Sequence, residues 1–231
     1  MTVLGIETST LVCGAAVAVD GLVRAEATIE LRNAHAERLL TLVERAMEDA
    51  LVTVPEVDGV AVSIGPGSFT GLRIGLSTAK GLVTAGEKAL VGVPTLSALA
   101  RRAASRGAVL PGERVMAVLD ARRGEVYCQF FVLDRGDVVP EGDVQDLTLG
   151  ALLDVIDDRA VLVTGEGVAT VRAAAGTSRR YEGIRYADRE TARCSPGMIA
   201  VMGGEMLASG VRDNPSTVEP RYIKEFFLQS R

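Results

Sequence analysis

The residues able to do chemistry gather at four short turns. Gly5-Ile6-Glu7-Thr8-Ser9-Thr10 joins two apolar runs and sets one acid beside three hydroxyls. Hydroxyls and backbone N–H groups at a tight turn can hold a phosphate, with the acid serving its metal. Asp120-Ala121-Arg122-Arg123-Gly124-Glu125 takes the same place in the second half of the chain, with Asp120 as the metal candidate. Two arginines stand there where a close backbone cradle wants glycine, and guanidinium pairs with phosphate or carboxylate. Gly65-Pro66-Gly67 and Gly165-Glu166-Gly167 each join a buried-strand pattern to a helical one. A helix start of that kind offers free N–H groups and partial positive charge to an anion. Neither spells a P-loop or a dinucleotide fingerprint. Glu7, Thr8, Ser9, Thr10, Asp120, Gly165 and Gly167 are thus the candidate nucleotide-binding residues. Polar or packing turns without a ligand are the competing reading at each.

His35 is the only histidine, which excludes most zinc clusters and leaves little room for Ser-His-Asp or Cys-His catalysis. It falls in the first turn of a helix, beside Glu37 and Arg38. Cys13, Cys128 and Cys194 are scattered and odd in number, which fits a reducing cytosol without a disulfide framework. No apolar run approaches a bilayer span and the N-terminus lacks a signal pattern, so a cytoplasmic protein is expected, with no membrane partner. A net charge of −5 argues against autonomous binding to nucleic acid. With 4% aromatics and no Trp, the core must come from Val, Leu, Ile and Ala.

The elements that would position these turns follow from periodicity. Residues 3–8, 12–19 and 22–30 read as strands, with Asp20-Gly21 as a hairpin turn. Asn33 can cap a helix over 34–51 whose apolar set is broader than one core-facing stripe. Residues 58–64 form a buried strand, Ser68 caps a helix over 68–84, 89–93 is a strand and 95–104 a helix. Residues 105–112 are the linker candidate, which divides the chain into 1–104 and 105–231. The second half repeats the order: strands at 115–120, 125–133 and 138–147, a helix at 149–156, a strand at 160–164, and helices at 168–175 and 196–209. Residues 177–193 are too polar to assign. Each half reads β-β-β-α-β-α, a mixed α/β sheet opened by a meander. That is the layout of the actin-like, Hsp70-like ATPases (a ribonuclease H-like fold), in which a nucleotide lies between two such halves.

Gly67, Gly71, Gly75 and Ala79 recur every fourth residue along the helix over 68–84. Each helical glycine costs roughly 1 kcal/mol relative to alanine. A chain that accepts this cost needs something close to the backbone: an anion at the turn, or a second helix along the row. The absence of metal ligands and the arginine-filled second hairpin favour the helix.

VLGIETST, AHAERLLTLVE, VSIGPGSFTGLRIGLSTAKGL, VGVPTLSAL, LDARRGEVY and the closing EPRYIKE, with Pro220 and Tyr222, resemble the TsaB (YeaZ) family. The resemblance is densest over residues 3–130 and thin over 134–215. It implies a degenerate relative of TsaD that works in threonylcarbamoyl modification of the adenosine beside the anticodon, in tRNAs reading codons that begin with A. It further implies a scaffold and activator without transferase activity, paired with TsaD as a heterodimer, joined by TsaE, and a homodimer when alone. tRNA would be met only through the complex. TsaD relatives carry a His-x-x-x-His metal pair; the positions that align with it here are Thr95 and Leu99, so no metal is expected. The resemblance also implies that the two N-domain helices form the partner interface. Its expected residues here are His35, Leu39, Leu42, Val43, Ala46, Phe69, Gly71, Leu72, Gly75, Leu76 and Ala79, with Arg122 and Arg123 as tRNA or partner contacts. No cofactor is expected. Weak ATP or ADP binding, or nucleotide hydrolysis, is the alternative reading.

Overall fold

The computed structural model describes residues 1–31, 35–121, 124–156 and 160–223. Asn33, the expected cap of the first helix, and the Arg122-Arg123 pair lie outside the described residues.

The first half runs β1 (Thr2–Glu7), β2 (Val12–Val19), β3 (Leu22–Glu30), α1 (His35–Ala50), β4 (Gly59–Gly65), α2 (Phe69–Gly86), β5 (Ala89–Pro94) and α3 (Thr95–Ser105). The second runs β6 (Arg114–Asp120), β7 (Glu125–Asp134), β8 (Asp137–Thr148), α4 (Leu149–Val155), β9 (Val161–Thr164), α5 (Val168–Ala175), β10 (Ile184–Tyr186) and α6 (Pro196–Ala208). Two mixed five-stranded sheets result, ordered β3-β2-β1-β4-β5 and β10-β9-β6-β7-β8. The orders are equivalent strand for strand, which is the actin-like arrangement. The first half has the strands and helices expected of it, and the second adds one strand. In the second half the added strand is β10, three residues inside the polar stretch left unassigned by periodicity.

The alternation of each strand decides which helix covers which face. In sheet one, Leu4, Ile6, Val60, Val62 and Leu90 turn toward α1 and α2, where Leu39, Val43, Leu76, Ala79 and Val83 meet them. Val3, Ala61, Val91 and Val93 turn the other way and pack on Ile199 and Leu207 of α6. Leu96, Leu99 and Ala100 of α3 lie on Val115, Ala117, Leu119 and Phe131 of sheet two. Its other face packs on Leu152 of α4 and Val171 of α5. The halves thus exchange a helix: α3 crosses to the second sheet and α6 returns to the first. β4 is buried along its whole length because it has parallel neighbours on both sides and helices on both faces.

After α6 the chain runs along the open edge of β5. The Asp213 amide donates to the Leu90 carbonyl (2.8 Å), and the Gly92 amide donates to the Asp213 carboxylate (2.7 Å). Val218 packs against the core under α1 and α2. The Arg221 amide then donates to the Ile64 carbonyl at the end of β4 (2.7 Å). Residues 211–222 form a strap that closes over the start of α2.

Candidate functional site

The first hairpin and the start of α2 form one buried unit. Glu7, Thr8, Ser9 and Thr10 are all buried. Their neighbouring amides are already used inside the protein. The Ser9 amide donates to Glu7 Oε1 (2.6 Å), and the Thr8 amide to Ser63 Oγ (3.4 Å). The Leu11 amide donates to Glu166 Oε1 (2.8 Å), and that of Val12 to Thr10 Oγ1 (3.2 Å). A phosphate cradle needs such groups turned to an open site. In this hairpin the Thr8, Ser9, Leu11 and Val12 amides are turned to protein acceptors instead.

The glycine row of α2 explains the burial. A side chain on Gly67 would strike Ser9, on Gly71 the Thr8 carbonyl oxygen, and on Gly75 the Thr8 hydroxyl. The Ser68 amide donates to the Ser9 carbonyl (2.7 Å), and Ser68 Oγ caps the helix by accepting from the Gly71 amide (3.2 Å). What comes close to the glycines is the chain's own hairpin, which corrects the expectation of a partner helix along Gly71 and Gly75. The turn before α2 is likewise closed. Gly65 has φ +110°, a conformation that suits glycine, and a Cβ there would come within 2.8 Å of the Arg221 carbonyl oxygen in the strap.

The same correction extends over most of the expected interface. Leu39, Val43, Ala46, Leu76 and Ala79 are buried because they are the core contacts of their own helices on sheet one, and Leu72 is buried as well. His35 is buried too, with Nε2 3.0 Å from the Thr10 carbonyl, so it ties α1 to the hairpin. Leu42 and Phe69 keep partial exposure, and Leu40, absent from the expected set, is 56% exposed.

Glu7 is the strongest electrostatic feature. Its Oε1 accepts from both the amide and the hydroxyl of Ser9, while Oε2 is buried without a hydrogen-bond partner among the described residues. Burial pushes its carboxyl up to about 7, against the pull of the Ser9 bonds. Burial also raises Glu166, which sits at the start of α5 and reaches across to the first half. Burial raises the Cys13 thiol to about 11 and Cys128 to about 12, so neither is an activated nucleophile.

The second-half turns meet the hairpin through Glu166. Asp120 is exposed. Gly165 is pressed on the Val118 carbonyl, to which the Gly167 amide donates (3.1 Å). A cavity of about 680 Å³ lies between the halves, lined by Leu11, Glu30, Glu166, Arg172 and Arg193 among others. Of the candidate nucleotide residues, only Gly165 lines it. Its charges are largely paired, Glu30 with Arg189 and Arg193 at 2.7 Å each. Thr95 and Leu99 are buried in the core. Among the described residues no group of three His, Cys, Asp or Glu side chains could hold a metal ion.

The model of the TsaD family, tRNA N6-adenosine threonylcarbamoyltransferase, matches residues 25–186. The tRNA threonylcarbamoyladenosine biosynthesis protein TsaB of Bacillus subtilis (strain 168) is 32% identical over 71% of this chain and 71% of its own length. The chain belongs to the TsaB family. The TsaB protein of Escherichia coli (strain K12) is 29% identical over 97% of this chain and 95% of its own length. The structure of YeaZ from Pseudomonas aeruginosa superposes with a TM-score of 0.82 at 27% identity, covering 96% of this chain and 99% of that one. This membership accounts for the match to the TsaD model.

The residues that sequence reasoning missed are Glu166 as a link between the halves, and Arg73 with Tyr222 at the strap. Arg73 Nε donates to the Tyr222 hydroxyl (2.9 Å), and its guanidinium lies 3.8 Å from the centre of the Phe69 ring. The Tyr222 signal was present in the closing Pro-x-Tyr, but its partner is 149 residues away.

Proposed function

We propose that this chain is a non-catalytic subunit in tRNA threonylcarbamoyladenosine biosynthesis. It acts by binding a TsaD-type transferase through the outer faces of α1 and α2, with a TsaE-type ATPase joining the complex. The observation that carries the reading is the hairpin. A fold that elsewhere grips phosphate has here turned those amides inward and locked them under α2. What remains for function is surface. Leu40 is a large apolar side chain left exposed on α1, while Leu42 and Phe69 are half-covered. Apolar side chains of that kind supply burial at an interface. With no partner present, the same face would pair with a second copy as an isologous dimer. The division into residues 1–104 and 105–231 assigns this face to the first unit.

The test is reconstitution. The chain is mixed with the TsaD-type protein of the same organism, and complex formation and tRNA threonylcarbamoylation are measured. Complex formation, and modification that requires this chain, are expected. Leu40→Asp with Ser77→Arg, both exposed positions, should weaken the complex without unfolding the chain. Threonylcarbamoyl transfer by the chain alone would overturn the reading.

A further inference from the structure

The Arg73 clamp has chemistry that the hairpin and the core do not use. Arg73 is exposed on the second turn of α2, yet it is not a free-swinging side chain. Phe69 lies under its guanidinium at 3.8 Å, Tyr222 stands 5.8 Å away, and the Tyr222 hydroxyl accepts from Nε. The two rings pack on each other, centroids 5.1 Å apart. Tyr222 is itself delivered by the strap, anchored at Asp213, Val218 and Arg221. Among the described residues the two Nη groups take no hydrogen-bond partner, and no ion pair reaches them. Stacking and one Nε bond fix the plane of the fork and, among the described residues, leave its outer edge open. That edge suits two parallel bonds to a planar oxyanion.

We infer that Arg73, held by Phe69 and Tyr222, is a preorganised receptor for a carboxylate side chain of the partner subunit. The inference rests on the partner-binding reading above and names the chemistry of one contact within it. Charge supports a protein carboxylate as the occupant. The sequence of α2 contains two cations, Arg73 and Lys80, and no acid, in a chain whose net charge is −5. Arg221 adds a further exposed cation beside Tyr222. Thr70 and Ser77, the exposed neighbours on the same helix, are short and do not screen the guanidinium. A nucleic-acid backbone is the weaker fit, because phosphate binding draws on many cations along a track. Lys80 is half-buried and two turns away, about 10 Å along the helix. Fixing the guanidinium in advance lowers the ordering cost of the contact, so the clamp raises affinity beyond what the charge alone supplies.

The experiment measures affinity for the purified TsaD-type protein by calorimetry at two salt concentrations, with wild type, Arg73→Ala, Arg73→Lys and Tyr222→Phe. Thermal midpoints are recorded for each. Arg73→Ala should weaken binding at least about tenfold, the scale of a lost charge-assisted pair. Arg73→Lys should recover only part of this, because a point charge replaces a planar fork. Tyr222→Phe keeps the ring and drops the acceptor, and should cost a few-fold. Thermal midpoints should stay close to wild type, and the Arg73→Ala deficit should shrink at high salt. Binding of Arg73→Ala within twofold of a tightly binding wild type overturns the inference and leaves the partner reading intact. Failure of wild type itself to bind overturns the partner reading instead. If Arg73→Ala alters only self-association by light scattering, the occupant is a second copy. If it alters only tRNA retention by the assembled complex, the occupant is a phosphate. Either result overturns the assignment.

Discussion

Gly71 of α2 rests directly on the Thr8 carbonyl oxygen, with no room between them for a methyl group. The obstacle is backbone on both sides, so neither can give way like a flexible side chain. Gly71→Ala should therefore destabilise the protein by roughly 3 kcal/mol, at the upper end of overpacking costs. Gly81, ten residues further along the same helix, has open space where a Cβ would stand. There the substitution removes only the glycine penalty, and Gly81→Ala should stabilise by about 1 kcal/mol. Urea denaturation of the two variants should move the midpoint in opposite directions.

Glu7 gives stability a pH dependence with a definite sign. Its carboxyl titrates near 7 in the folded protein, and close to the ordinary value of 4.5 once unfolded. Between those values the folded state keeps a proton that the unfolded chain has released. Stability from this group is full below about pH 4.5, falls as pH rises toward 7, and is flat above. The difference is on the order of 3 kcal/mol. Glu7→Gln keeps the shape and removes the titration. Relative to wild type, Glu7→Gln should gain stability from pH 5 to about pH 7 and level off above that in denaturant titrations. A constant difference across that range would show that Glu7 does not titrate there.

The strands, the helix cap at Ser68 and the repeated halves were legible because they are local: alternation, a turn pair, a hydroxyl before an apolar helix. β10 was not, since three residues in a polar stretch carry too little pattern. The glycine row was legible as a close approach, but not its direction. Gly67, Gly71 and Gly75 recur every fourth residue whether the neighbour is a partner helix or the chain's own hairpin. The broad apolar surface of α1 had the same ambiguity. Most of it faces sheet one, while Leu40 and, just past the helix end, Leu51 are left well exposed. Glu166 and Tyr222 act on residues more than a hundred positions away, which no local pattern encodes.

The bond from the Leu11 amide to Glu166 joins the hairpin of one half to the glycine turn of the other. Glu166→Ala leaves that amide without its charged acceptor and should cost about 2 kcal/mol. Glu166→Gln retains an acceptor oxygen and should cost about half as much. Hydrogen exchange gives a local readout: the Leu11 amide should exchange faster in Glu166→Ala, while amides within β9 keep their protection.

A hairpin whose Thr8, Ser9, Leu11 and Val12 amides are committed to protein acceptors should bind nucleotide poorly. Calorimetry with Mg²⁺ and ATP on the isolated chain should give no binding tighter than about 1 mM. Asp120→Ala should leave the titration unchanged, because Asp120 is exposed while the hairpin residues are buried. Micromolar binding abolished by Asp120→Ala would restore the nucleotide-hydrolase alternative.

The strap over β5 predicts how the chain's end contributes. Asp213 supplies two bonds to an otherwise open strand edge, one through its amide and one through its carboxylate. Asp213→Ala removes only the second, and leaves the Gly92 amide without an acceptor at a half-covered edge. A loss of about 1–2 kcal/mol is expected. Truncation after Gly210 removes both bonds, the Val218 contact, the Arg221 bond at Ile64 and the Tyr222 clamp together. It should cost more than Asp213→Ala and, unlike that point change, should speed hydrogen exchange in the first turn of α2. If truncation lowers stability no further than Asp213→Ala does, the strap beyond residue 213 is not holding the helix start.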